Sequence, residues 1–276
     1  MKHNNYSIHL IIALACEAKP VIEYYALKRC MDETAFPVFR NQEMTLTISG
    51  VGKIAAASAV AYTQGRYASN QTAIWLNIGI AGHASLEIGS CRIAHKIVDH
   101  ETSRNWYPAL LFSTTAIVET SEICTVSQPE LQYNGDCLYE MESAGFIATA
   151  SRFSSLELIQ SLKVVSDNRT LPSTTLSGQS VSRLIENHLN HINRLKQALE
   201  TIRNHTIIAT NENIAVFQKN WNFTAHQLTQ LKTLLSQWQI LSAQSLPTVD
   251  TIAQLKTSKQ VIGWLKNEVS ALPVIY

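Results

Sequence analysis

The chain has 276 residues, with 22 Lys and Arg against 21 Asp and Glu, so no net field draws it to nucleic acid or to an anionic membrane. Charged residues make up 16%, below the roughly 25% of an average soluble protein, while 46% are hydrophobic, which points to a sizeable core or a buried subunit interface. Five cysteines (Cys16, Cys30, Cys91, Cys124, Cys137), odd in number and without a C-x-x-C pair, argue against a disulfide framework and against a zinc site. The apolar stretch Ile8 to Ala15 is ended by Cys16, Glu17 and Lys19, too soon for a membrane span and without a signal-cleavage pattern. A buried first strand and a cytoplasmic protein are expected.

From Tyr6 to about Asn204 short apolar runs alternate with longer helical patterns, which predicts an α/β layer fold. Strands are expected at Leu10 to Leu14, Met44 to Ser49, Ala73 to Ile80, Ser90 to Asp99, Ala116 to Thr120 and Leu162 to Ser166. Helices are expected at Pro20 to Leu27, Lys53 to Tyr67, Met141 to Arg152 and Ser182 to Arg203. The last aligns Leu184, Ile185, His188, Ile192, Leu195, Leu199 and Ile202 on one stripe, so it should pack on the sheet and close the domain.

The composition then shifts. Thr224-Ala-His-Gln227 has the form of a capping box ahead of Leu228, Leu231, Leu234, Leu235, Trp238 and Leu241 at helical spacing. A polar turn around Ser245-Leu-Pro247 leads to a further pattern through Ile252, Leu255, Val261, Ile262, Leu265 and Val269. Residues 1–204 are thus expected to form the principal domain and 205–276 a small helical appendage. Its Leu/Trp stripe is expected to dock on that domain, to bury a dimer interface or to bind another protein.

The run Leu162 to Asp167 is a hydrophobic strand that ends on Ser166-Asp167, and it follows Glu140-Met141-Glu142 at the mouth of a small-residue helix. Two carboxylates so placed suit one ligand, one gripping sugar hydroxyls and one protonating a leaving group, which points to cleavage of a nucleoside's glycosidic bond. Glycines are few, and two clusters stand at strand ends. Ser49-Gly-Val-Gly-Lys53 opens an alanine-rich helix, but it is neither a Walker loop nor a G-x-G-x-x-G fingerprint. Asn77-Ile-Gly-Ile-Ala-Gly82 lets a flat ligand lie against backbone at the carboxyl end of a buried strand. Taken singly, each turn fits tight packing as well as a ligand site.

Together and in this order, Ile11 to Glu17, Ser49 to Lys53, Asn77 to Gly82, Glu140-Met-Glu142 and Val165-Ser-Asp167 resemble the purine nucleoside phosphorylase and nucleosidase superfamily. The pattern is most similar to the branch that hydrolyses methylthioadenosine and adenosylhomocysteine, over about residues 8 to 200. The resemblance implies a three-layer fold, with a central mixed sheet flanked by helices and with the appendage outside it. It implies Asp167 as the acid at purine N7, positioned by Ser166. An ordinary aspartate is ionised at neutral pH, so such an acid needs burial or a neighbouring anion. It also implies Glu142 on the ribose 2′ and 3′ hydroxyls, Met141 beneath the sugar, and Ile80, Ala81 and Gly82 along the ligand. Glu140 is expected to point elsewhere, as an acid complementing the helix N-terminus.

Glu17 discriminates between nucleophiles, because the hydrolytic relatives hold water with a glutamate after the first strand where phosphorylases hold phosphate with glycine and arginine. Here no arginine follows until Arg29, and Asn77 stands where phosphorylases place another phosphate-binding arginine. Both departures favour water. A phosphorylase with the same acid and ribose grip remains the enzymatic alternative, and a non-catalytic nucleoside-binding or interaction protein the other. No metal and no cofactor are expected, and a homodimer or larger homo-oligomer is implied. His83 is expected to narrow the pocket or to be a plain turn residue, and Arg104-Asn-Trp-Tyr107 to form a rim. The Ser/Thr/Gly-rich stretch Asn168 to Val181 suits a lid. The stretch between Thr120 and Glu140 is shorter than in the relatives, which place base-stacking aromatics there.

Overall fold

The structure, a computed structural model, describes residues 6–67, 72–114, 117–171, 176–241, 246–248 and 250–271, with backbone alone for 205–213, 236, 239–241 and 250. Part of the expected strand Ala116 to Thr120, part of the expected lid (172–175) and Ser245 of the expected turn lie outside the described residues. The chain divides into two compact units, Met1–Arg203 and Asn204–Tyr276.

In the first unit the strands are β1 (Ile8–Ile12), β2 (Lys28–Arg29), β3 (Val38–Arg40), β4 (Met44–Ile48), β5 (Ile74–His83), β6 (Cys91–Asp99), β7 (Asn105–Trp106), β8 (Thr120–Thr125), β9 (Leu138–Glu140) and β10 (Ile159–Asn168). The helices are α1 (Ala15–Tyr24), α2 (Lys53–Tyr67), α3 (Ser143–Ala150), α4 (Gly178–Glu186) and the beginning of α5 (Leu189–Asn220). β5 pairs in parallel with β1 and β10; β10 runs antiparallel to β6, which pairs in parallel with β8, and β8 with β9. Gly82 of β5 then meets Tyr139 of β9, so β5, β10, β6, β8 and β9 close on themselves. β1, β4, β3 and β2 extend the sheet outward from β5.

Strand alternation builds three layers. Ile8, Leu10, Ile12, Leu76, Ile78, Leu162 and Val164 point to one face, where Ala18 and Val21 of α1, Ile185 of α4 and Ile192, Leu195 and Leu199 of α5 cover them. Ile11, Trp75, Ile159 and Val165 point to the other, under Ala56, Ala59 and Val60 of α2 and Phe146, Ile147 and Ala150 of α3. With both faces covered, a central strand reads as a continuous apolar run, which is why β1 and β10 are legible in the sequence. α2 and α3 approach so closely that a Cβ at Gly145 would lie 1.9 Å from the Lys53 carbonyl oxygen. That contact sets the mouth of α3 beside the Gly50–Gly52 turn.

Three expectations are corrected. α1 begins at Ala15, ahead of the expected Pro20, because Glu17 caps its start through the Leu14 N–H at 2.8 Å. Pro20 then leaves the Cys16 carbonyl without its helical donor, and Ser182 Oγ supplies one at 2.6 Å. The single helix expected over Ser182 to Arg203 is two helices, α4 and α5, separated at Asn187 and His188, where His188 Nε2 lies 2.7 Å from the Gly89 carbonyl oxygen. β8 starts where the expected strand ended. Pairing with β6, from Ile93↔Thr120 to Asp99↔Thr125, outweighs the weak apolar content of Thr-Ser-Glu-Ile-Cys-Thr.

The second unit comprises the end of α5, α6 (Ala225–Leu241) and α7 (Ser258–Ala271). The capping box forms, with the Thr224 N–H on Gln227 Oε1 at 2.9 Å and the Gln227 N–H on Thr224 Oγ1 at 3.3 Å. Leu231, Leu235 and Trp238 are buried with Phe217, Trp221, Ile252, Val261 and Leu265, so the stripe expected to dock on the first domain, at a dimer interface or on another protein fills a core of the unit's own helices. Among the described residues no helix is long and apolar enough to cross a membrane.

Candidate active site

Two clusters of buried charge lie along the carboxyl halves of β5 and β10. Lys163 pairs with Gly79 and Asp167 with Gly82, with a bulge between Val165 and Asp167. The bulge leaves Ser166 as an extra residue and re-aims Asp167 relative to Lys163. Three steps of β5 separate the two positions, roughly 10 Å.

At the first cluster, Glu17 is 2% exposed, with Oε2 on the Leu14 N–H and Oε1 on the Ile80 N–H at 2.9 Å. Gly79 makes this possible, since a Cβ there would stand 2.9 Å from Glu17 Oε1 and 3.4 Å from Lys163 Nζ. Burial pushes the Glu17 carboxyl above its usual range, against the pull of Lys163 and the two backbone donors. Ile80 thus serves through its backbone.

Lys163, itself 1% exposed, lies 2.9 Å from Glu140 Oε2 and 3.9 Å from Glu142 Oε2. Burial disfavours its cation, but Glu140, Glu142 and Glu17 outweigh that and raise its pKa. Glu140 accepts from the Glu142 and Ser143 N–H groups, Ser143 Oγ and Thr125 Oγ1. Burial opposes its charge, yet Lys163 and these donors hold its carboxyl below the usual range. Glu140 therefore sits at the mouth of α3 as expected and also anchors the lysine. Asn77 uses both ends of its amide, Nδ2 on the Ile11 carbonyl at 3.1 Å and Oδ1 under Ser143 Oγ at 3.0 Å.

Glu142 precedes α3, and its Oε1 accepts the Gly52 N–H at 2.8 Å. Gly50 and Gly52 have φ of +81° and +105°, which only glycine adopts without strain, so the turn aims an amide at this carboxylate. Burial, with Glu140 adding to it and Lys163 opposing, pushes the Glu142 carboxyl up to about 7. The folded value exceeds the unfolded one, so the native state holds the extra proton between them and stability falls as pH rises from about 4.5 through 7. Glu142→Gln is expected to be neutral to denaturant unfolding at pH 5 and stabilising at pH 8, on the order of 1–3 kcal/mol; equal effects at both pH values would contradict this.

At the second cluster, Asp167 is 6% exposed. Ser166 Oγ donates to its Oδ1 and lies 3.3 Å from the Ala81 carbonyl oxygen, while the Tyr133 phenol donates to its Oδ2. Ala81 contributes that carbonyl, and its side chain belongs to the core. Met141 is half-buried against Cys124, Val126 and Cys137. His83 is buried at the end of β5, with Nδ1 accepting the Ser85 and Leu86 N–H groups and Nε2 3.2 Å from Asp136 Oδ1. Burial lowers its pKa despite Asp136. Arg104 lies over the Trp106 ring at 5.1 Å, and Tyr107 is exposed. Lys53 pairs with Asp99 and Glu101. Among the described residues no group of three His, Cys, Asp or Glu side chains is arranged to hold a metal ion.

Lys163 and Tyr133 are absent from the sequence reading. A lysine inside an otherwise apolar strand was the available signal for the first. For Tyr133 the only hint was an aromatic in the shortened stretch before Glu140.

No protein-family model and no curated protein matches the sequence. Solved structures do match in fold. The 5′-methylthioadenosine nucleosidase of Arabidopsis thaliana in apo form has a TM-score of 0.60 and 14% identity, covering 71% of this chain and 96% of that one. The futalosine hydrolase of Helicobacter pylori strain 26695 gives 0.56 and 14%, over 71% of this chain and 100% of that one. A 5′-methylthioadenosine/S-adenosylhomocysteine nucleosidase from Colwellia psychrerythraea 34H, in complex with adenine, gives 0.52 and 18%, over 68% and 96%. This chain therefore has the fold of these nucleosidase and futalosine hydrolase structures.

Proposed function

We propose that the protein hydrolyses the N-glycosidic bond of a purine nucleoside, of the 5′-modified adenosine type that the nucleosidases of this fold are named for. The observation that carries the reading is the charge balance around Lys163. Glu17, Glu140 and Glu142 surround this one cation, and Glu140 already pairs with it at 2.9 Å. The positive charge of Lys163 is already committed to Glu140, so an incoming phosphate finds that cation taken, whereas a water finds carboxylate acceptors.

In the reaction, Glu17 takes a proton from water, for which its raised basicity suits it. The oxygen bonds to C1′ as the C1′–N9 electron pair departs with the base, Asp167 gives a proton to the base nitrogen, and exchange through solvent returns the proton held by Glu17 to Asp167. Glu142 holds the sugar hydroxyls with bonds that strengthen as the ring becomes cationic. All these residues belong to the first unit. Purified protein incubated with methylthioadenosine, adenosylhomocysteine or 5′-deoxyadenosine is expected to release adenine and a free sugar without phosphate. Turnover only with phosphate, yielding a sugar 1-phosphate, would overturn the hydrolytic reading.

A further inference from the structure

Asp167 is already engaged at both oxygens. Ser166 holds Oδ1, and Oδ2, the remaining oxygen, accepts the phenol of Tyr133. Tyr133 is 1% exposed and fills the space that Gly82 leaves: a Cβ there would lie 2.6 Å from Tyr133 Cε1 and 2.7 Å from Asp167 Oδ2. The ring meets Tyr139 edge-on, with centroids 5.9 Å apart. The phenol thus holds the hydrogen-bonding position that a departing base needs on this carboxylate. Burial and then the hydrogen bond to Asp167 raise the phenol's pKa, so at neutral pH it keeps its proton and stays a donor.

The segment carrying Tyr133 is held by contacts, against its local preference. Tyr133 has φ +50°, in the left-handed region that side-chain-bearing residues disfavour. Glu130 Oε1 accepts the Gln132 N–H at 2.6 Å and the Tyr133 N–H at 3.2 Å. Arg169, just past the end of β10, donates to the Gln132 carbonyl at 3.2 Å and to the Tyr133 carbonyl at 2.7 Å. The loop between β8 and β9 is thereby tied to the strand that bears Asp167. A backbone in a disfavoured conformation, kept there by the phenol's latch, the Glu130 carboxylate and one arginine clasp, is one that a competing ligand can displace.

We propose that Tyr133 is a specificity-determining residue that competes with the leaving base for Asp167 Oδ2. Entry to this end of the site then requires a nitrogen heterocycle that hydrogen-bonds Asp167 Oδ2 in place of the phenol and displaces its ring. A sugar or nucleoside fragment without such a base gains nothing from opening the loop. The proposal rests on the reading of Asp167 as the leaving-group acid.

The test uses the full chain as wild type, Tyr133→Phe, which keeps the ring and removes the latch, and Arg169→Ala, which removes the clasp. Hydrogen–deuterium exchange over residues 128–137 without ligand reports the latch, and calorimetric titration with adenine reports the competition. Both variants are expected to exchange faster in that loop and to bind adenine about threefold to tenfold more tightly than wild type, the value of one hydrogen bond. Unchanged exchange in both variants overturns the latch. Faster exchange with unchanged or weaker adenine binding overturns the competition and leaves Asp167's assignment standing. Absence of adenine binding from all three proteins, with no nucleoside turnover by wild type, overturns that assignment and this proposal with it.

Discussion

Lys163→Met is expected to destabilise the protein by about 3–5 kcal/mol in denaturant unfolding at pH 7, the usual consequence of leaving a buried ion without its partner. Methionine fills similar space, so the loss is electrostatic. Glu140, ionised and fully enclosed, loses the cation 2.9 Å away, and Glu142 and Glu17 lose the charge that opposes their desolvation. The sign of the pH dependence is fixed by the same groups. Glu17 and Glu142 already have raised pKa values, and without Lys163 these rise further. Both carboxyls then accept protons readily at pH 5, so the penalty shrinks there. A loss below about 1 kcal/mol at pH 7, or a larger loss at pH 5 than at pH 7, would show that Lys163 does not hold this cluster together.

Asp167→Asn is expected to lower kcat for nucleoside hydrolysis by about 10²- to 10⁴-fold, the range for removing a general acid. The fold should survive, because asparagine keeps an oxygen for Ser166 Oγ and offers its amide to the Tyr133 oxygen. The amide cannot deliver a proton to the departing base. Circular dichroism and steady-state turnover of the same preparation separate the two effects. Undiminished turnover by a folded variant would remove Asp167 from the mechanism.

The same two clusters show where the sequence was legible. Strands buried on both faces announce themselves as apolar runs, so β1, β4, β5 and β10 are legible near their observed positions, as is α2 between its observed ends. The short strands β2, β3, β7 and β9 carry no such signal, because two or three residues cannot display a period. The second unit's capping box and apolar spacing were equally clear. What its stripe covers was not, since a helical period marks a buried face without naming the partner across from it. The helix break at Asn187–His188 is likewise a long-range effect, made by the reach of His188 to the Gly89 carbonyl.

By itself the sequence determined the α/β alternation and the glycines at two strand ends, and it offered Glu142 and Asp167 as candidates by pattern and Glu17 by resemblance. Local pattern suffices for the first two, because backbone periodicity and turn chemistry act within a few residues. Only the tertiary structure decided what surrounds each carboxylate. Lys163 meets Glu140 and Glu142 across more than twenty residues of chain, and Tyr133 reaches Asp167 across 34. Such contacts follow from which strands pair and in what register, and from a bulge at Ser166 that re-aims one aspartate. The charge state of the site is set by burial and by neighbours brought from afar, so it exists only once the sheet has closed.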